Sequence, residues 1–91
     1  MSNICLVCGF NNLYDPPYDK NGHGSEEICP CCGFQYNYDD SGYRYGYDPI
    51  VKILINIWRL NWIRSGYLWF SPEEKPKEWD PKKQLQVLRF S

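Results

Sequence analysis

The residues with the most chemistry in this chain are its five cysteines, Cys5, Cys8, Cys29, Cys31 and Cys32. Four of them fall into two copies of one short pattern. Cys5-Leu6-Val7-Cys8-Gly9-Phe10 and Cys29-Pro30-Cys31-Cys32-Gly33-Phe34 match at Cys, Cys, Gly and Phe over six positions. Two thiols separated by two residues can turn both sulfurs of a tight turn to one centre, and the glycine that follows relieves the backbone. Two such turns supply four sulfurs, the ligand number of a structural zinc site. The set read from spacing is Cys5, Cys8, Cys29 and Cys32. Cys31 occupies the x position of CPxCG and is expected to point away from the centre; a shift of coordination to Cys31 is the alternative that spacing leaves open. Zn2+ is the expected ion and iron the rival at the same four sulfurs. Disulfides or buried unligated thiols are the remaining readings, and an odd number of cysteines leaves one out of any full internal pairing.

Four thiolates close a tetrahedral sphere and leave no position for a bound water, so the site reads as structural and not hydrolytic. Zinc binding in finger peptides contributes about 10–16 kcal/mol, as much as the roughly 5–15 kcal/mol net stability of an ordinary domain. Loss of the ion is therefore expected to unfold at least the first half. No catalytic constellation is read elsewhere. His23 stands alone in a Gly-flanked loop and reads as a solvated turn residue. Asp39 and Asp40 are adjacent, so their side chains diverge, and a polar turn at Asp39-Asp40-Ser41-Gly42 accounts for them.

The elements that must hold these residues differ between the halves of the chain. Residues 1–45 are rich in Cys, Gly, Tyr and Asn and carry two basic groups against six acids; residues 46–91 carry eight against five. Ninety-one residues make one domain, with a zinc-knuckle subregion at 1–45 and a helical subregion at 46–91 that meet near Tyr43 to Asp48. Phe34 to Tyr38 reads as a short strand. Asp48 as cap, Pro49 in the first turn and Gly66 as stop predict a helix over 49–65. On it Lys52, Asn56 and Arg59 form one polar stripe, and isoleucines, leucines and tryptophans cover most of the rest. That is more apolar surface than one small neighbour hides. Ser71-Pro72-Glu73-Glu74 fits a capping box before a single turn, and Asp80-Pro81 opens a further helix through Leu85 and Leu88. The fold class expected is α+β, a small zinc-ribbon or double-knuckle part packed on a C-terminal helical part.

Composition removes several functions. The net charge of −1 argues against a strongly basic nucleic-acid binder. The most apolar segment, Ile50 to Ile63, is shorter than the roughly 20 residues of a membrane span and contains Lys52, Asn56, Arg59 and Asn61. Met1-Ser2-Asn3-Ile4-Cys5 has neither a basic start nor an apolar run, so a cytoplasmic location is expected, where clustered cysteines serve as metal ligands more often than as disulfides.

Ile28-Cys29-Pro30-Cys31-Cys32-Gly33-Phe34 followed by Tyr38-Asp39-Asp40 resembles the cysteine-rich CPCC family of small bacterial proteins. Cys5 to Phe10, the Pro16-Pro17-Tyr18-Asp19 loop and Trp69-Phe70-Ser71-Pro72 are also similar to that group. The resemblance implies a zinc-ribbon-like cysteine core and a role as an immunity protein that neutralises a toxin. The residues themselves point to a non-enzymatic protein-binding module, with Trp58, Trp62, Tyr67 and Trp69 as either core or contact anchors. Nucleic-acid binding through Lys75, Lys77, Lys82, Lys83 and Arg89 is the second class, and a rubredoxin-like iron electron carrier the third. Helix 49–65 also offers a homodimer surface.

Overall fold

The structure, a computed structural model, describes residues 3–40 and 48–88. The first of these stretches is built from turns, not strands. Among the described residues the only β pairings are two isolated bridges, Tyr18 with Gly24 and Ile28 with Gln35. The described residues show a small fold of turns and helices with four clustered cysteines, and the strand-rich ribbon is not seen among them. The predicted strand Phe34 to Tyr38 is a turn instead, and local chemistry explains why. Asp39 accepts a hydrogen bond from the Gln35 N–H at 2.7 Å, Asp40 accepts one from Asn37 at 3.1 Å, and Asn37 sits at φ +73°, outside the extended region. Asp39 and Asp40 are thus turn-makers, as read. The Ser41-Gly42 end of that turn, the join near Tyr43 to Tyr47, and Arg89 lie outside the described residues.

The second stretch is helical. Helix α1 spans Pro49–Arg64, opened by Asp48, whose side chain accepts from the Ile50 N–H at 2.9 Å. It closes in a Schellman arrangement: Gly66, at φ +86°, bonds back to Ile63 O, and Tyr67 bonds back to Trp62 O. A single 3-10 turn follows at Pro72–Glu74, but the Ser71 side chain makes no capping bond, so the predicted capping box is absent and the turn closes through backbone contacts from Glu74 and Lys75. Helix α2 is short, Pro81–Gln86, with the Asp80 carboxylate accepting from Lys82 and Lys83 N–H groups.

One core joins both stretches. Val51, Ile55 and Trp62 on α1 are buried in the same cluster as all five cysteines, Val7, Leu13, Phe34, Tyr36 and Trp69. Edge-to-face rings run through it, from Tyr18 to Tyr36, Phe34 and Trp58, and from Phe10 to Trp69, Trp79 and Trp62. Each such contact adds about 0.5–1.5 kcal/mol beyond burial. No described helix is long and apolar enough to cross a membrane.

Candidate metal centre

Each cysteine turn closes on itself in the same way. In the first knuckle Cys5 N–H donates to Phe10 O at 2.7 Å and Gly9 N–H to Cys5 O at 2.9 Å. In the second, Cys29 N–H donates to Phe34 O at 3.0 Å and Gly33 N–H to Cys29 O at 2.8 Å. Gly9 and Gly33 take φ +87° and +79°, the left-handed conformation that the turn requires and that a side chain resists. The repeat seen in the sequence is therefore a repeat of geometry.

The two knuckles bring Cys5, Cys8, Cys29 and Cys32 together, with all four sulfurs within 4.8 Å of one another and all four residues buried. Cys5 and Cys32 are 3.7 Å apart, as are Cys8 and Cys29. A tetrahedron of sulfurs about 2.3 Å from a central ion has edges of about 3.8 Å, whereas a disulfide needs about 2.05 Å. All five cysteines are free thiols. The donor set fits a metal ion, and the four residues named from spacing are the four that converge.

Burial pushes the Cys8 and Cys32 thiols up, because a buried sulfur is costly to charge. Burial acts on Cys5 in the same direction, but hydrogen bonds from Cys29, Cys32, Cys8 and Tyr36 outweigh it and hold Cys5 well below the usual thiol range. Tyr36 is fully buried, and its hydroxyl lies 3.0 Å from Cys5 Sγ while accepting the Leu6 N–H at 2.9 Å. With the Leu6 donor already on its oxygen, the hydroxyl proton is directed at the sulfur. Burial and the charge on Cys5 both raise the Tyr36 pKa, so it remains a donor. Cys31 lies outside the converging four. It is buried beside them, and Gln84 Nε2 approaches its sulfur at 3.4 Å.

The turns leave three carbonyls each pointing outward, and the second stretch of chain supplies a donor to every one. Arg59 Nη2 donates to Leu6 O at 2.6 Å, Arg59 Nε to Val7 O at 2.7 Å, and Gln84 Nε2 to Cys8 O at 3.0 Å. At the equivalent positions of the second knuckle, Ser71 N–H donates to Pro30 O at 2.8 Å, Phe70 N–H to Cys31 O at 3.0 Å, and Trp58 Nε1 to Cys32 O at 2.9 Å. Arg59 is thus turned inward, out of the polar stripe it shares with the exposed Lys52 and Asn56, and Asn56 Oδ1 steadies its guanidinium at 2.9 Å.

Sequence reasoning missed Tyr36, Arg59 and Gln84 as supports of the centre. The one available signal was Arg59, a cation in the middle of the most apolar segment of the chain. Of the remaining candidates, His23 is exposed, 3.8 Å from Asp19, and is not part of the cysteine cluster. Trp62 and Trp69 are core residues, while Trp58 and Tyr67 are half-buried.

Among curated proteins, the chain is similar to the uncharacterized protein YoaQ of Bacillus subtilis strain 168, at 34% identity over 80 residues covering 81% of this chain and 68% of the relative. It is also similar to the uncharacterized protein YozI of the same organism, at 32% identity over 81 residues covering 81% of this chain and 67% of the relative. No family model matches the chain, and no solved structure matches it.

Proposed function

We propose that this chain, which belongs to the family of the Bacillus subtilis proteins YoaQ and YozI, is a non-enzymatic protein-binding module organised around one structural zinc ion. The observation that carries the reading is the closed set of four buried sulfurs, Cys5, Cys8, Cys29 and Cys32, with every outward carbonyl of both turns taken up by the rest of the chain. Such a centre has no position left for water or substrate, which is what a scaffold needs and a hydrolase cannot use. Zinc is preferred to iron because a filled four-thiolate tetrahedron without redox demand suits it. Five buried free thiols suit a reducing compartment, the cytoplasm. Resemblance to the CPCC family gives the concrete form, an immunity protein that neutralises a cognate toxin.

Native mass spectrometry of the purified protein tests the metal: one zinc per chain is expected, and a red iron-loaded protein with a reversible one-electron couple would replace this reading with electron transfer. Pull-down against toxin domains encoded beside the gene tests the partner. Specific capture by the zinc-loaded chain is expected, and its failure against all of them would remove the immunity role.

A further inference from the structure

The cysteine-bearing stretch carries far more acid than base. Residues 3–40 hold Asp15, Asp19, Glu26, Glu27, Asp39 and Asp40 against a single lysine, Lys20. Where this stretch meets the segment after α1, a groove of about 380 Å³ opens, with Tyr14, Glu27 and Ile28 contributed from one side and Phe70 and Glu74 from the other. Its apolar residues face solvent, Ile28 at 40% and Phe70 at 60% exposure. Among the described residues, two carboxylates and no cation line it. Lys75, next in the chain to Glu74, is committed elsewhere, its ammonium 5.4 Å from the centre of the Trp79 ring.

The half-buried Glu27 carboxylate is fixed in place. Its two oxygens accept the Tyr14 and Asp15 N–H groups at 2.9 and 3.1 Å, which sets the rotamer and leaves further lone pairs on both oxygens. Two amide donors do not cancel its charge, and among the described residues no lysine or arginine forms an ion pair with Glu27 or Glu74. Charge and shape then select the same ligand. A guanidinium is planar, presents paired N–H donors that match a carboxylate, and stacks on an aromatic face, whereas an ammonium is a hydrated point charge with no plane to stack. The groove offers a ring in Phe70 and an already oriented carboxylate in Glu27.

We propose that this groove seats an arginine side chain from a loop of a basic protein partner, its guanidinium paired with Glu27 and Glu74 and stacked on Phe70. The proposal rests on the protein-binding reading and names the partner's chemistry. Arginine seated in a pocket is a common anchor of such contacts, and the acidic excess of residues 3–40 draws a basic surface toward the groove.

The test uses the zinc-loaded full chain, immobilised, against a displayed library of cyclic loop peptides randomised at every position. Enriched loops are expected to carry arginine and to bind about tenfold or more weakly when citrulline, its neutral isostere, replaces it. They should lose a similar factor against Glu74→Lys and clearly less against Glu73→Lys, the same charge change one residue outside the groove. Glu73 and Glu74 are both exposed, so these variants keep their fold, with circular dichroism and zinc content as the check. Enriched loops that lack arginine, or that bind Glu74→Lys unchanged or no more weakly than Glu73→Lys, would overturn the groove while leaving the module reading intact. A library that yields no binder would overturn both. A dimer in solution that Glu74→Lys dissociates would assign the groove to a second copy and overturn the foreign partner.

Discussion

The two knuckles share a turn, a glycine and a ring of backbone bonds, yet the rest of the molecule holds them by different means. Two of the second knuckle's three outward carbonyls are held by main-chain N–H groups, those of Phe70 and Ser71. All three of the first knuckle's are held by side chains, two of them by Arg59 alone. Their glycines differ in the opposite sense. A Cβ on Gly9 would lie 2.3 Å from the backbone oxygen of Gln84, while one on Gly33 would meet only the Phe70 ring at 3.0 Å. Identical local motifs therefore have unequal tolerance: the first knuckle's carbonyls depend on residue identity at distant positions and its glycine on chain path, and the second knuckle reverses both.

The largest effect should come from taking away what the knuckles share. Chelation, or Cys29→Ser, is expected to abolish the fold of both halves, because the helices are anchored on carbonyls that the metal turns present. Loss of α1's far-ultraviolet signal together with the metal is the readout; a helical signal that survives complete metal removal would show that the two halves are independent. Next comes Arg59→Met, which keeps bulk but strips two carbonyls of a charged donor. A loss of about 3 kcal/mol in urea unfolding of the loaded protein is expected, against less than about 0.5 kcal/mol for Ser71→Ala, whose contribution is a backbone N–H. Equal costs for the two would erase the contrast.

Gly9→Ala and Gly33→Ala sharpen it further. Both place a side chain at positive φ, at about 1 kcal/mol, but only the first also drives a methyl into a backbone oxygen. Gly9→Ala should therefore cost more than about 2 kcal/mol and Gly33→Ala about 1 kcal/mol by the same measurement. Tyr36→Phe probes the side chain that the second knuckle's neighbourhood lends to the first. It removes the donor to Cys5 and leaves the Leu6 N–H without an acceptor, so zinc affinity should fall about tenfold or more in competition with a chromophoric chelator.

The smallest effect is a pH dependence. Tyr18 donates to the buried Asp40 at 2.6 Å, and burial, then that bond and the carboxylate's charge, raise its pKa. A raised folded value means that the stabilisation is present below the ordinary tyrosine pKa of about 10 and is lost as pH climbs toward the folded value. Wild type should therefore lose stability above pH 10 faster than Tyr18→Phe does.

The four converging cysteines were legible because two Cys-x-x-Cys-Gly turns state their geometry locally, and α1 because Asp48, Pro49 and Gly66 mark its ends. What was not legible depends on partners distant in the chain. Periodicity placed Arg59 on a polar stripe with Lys52 and Asn56, since nothing in a helical pattern records that carbonyls 52 and 53 residues earlier need a donor. The strand read at Phe34 to Tyr38 failed for a local reason, the Asp39 and Asp40 carboxylates curling the chain that aromatic residues would otherwise extend. The absent capping bond at Ser71 has a physical counterpart: its backbone is engaged with Pro30 O at one side and Glu74 at the other, which fixes the turn without the hydroxyl.

Chain order gives the carbonyl clasp a consequence during synthesis. All four clustered cysteines are in the chain by Cys32, and Trp58, the earliest residue to donate to an outward carbonyl of a knuckle, follows 26 positions later. At about 5–20 residues per second that is an interval of a second or more in which a nascent site stands open to incoming ion. Once Arg59, Phe70 and Gln84 arrive, the four sulfurs are enclosed, and an ion held among them would leave no faster than the finished protein opens.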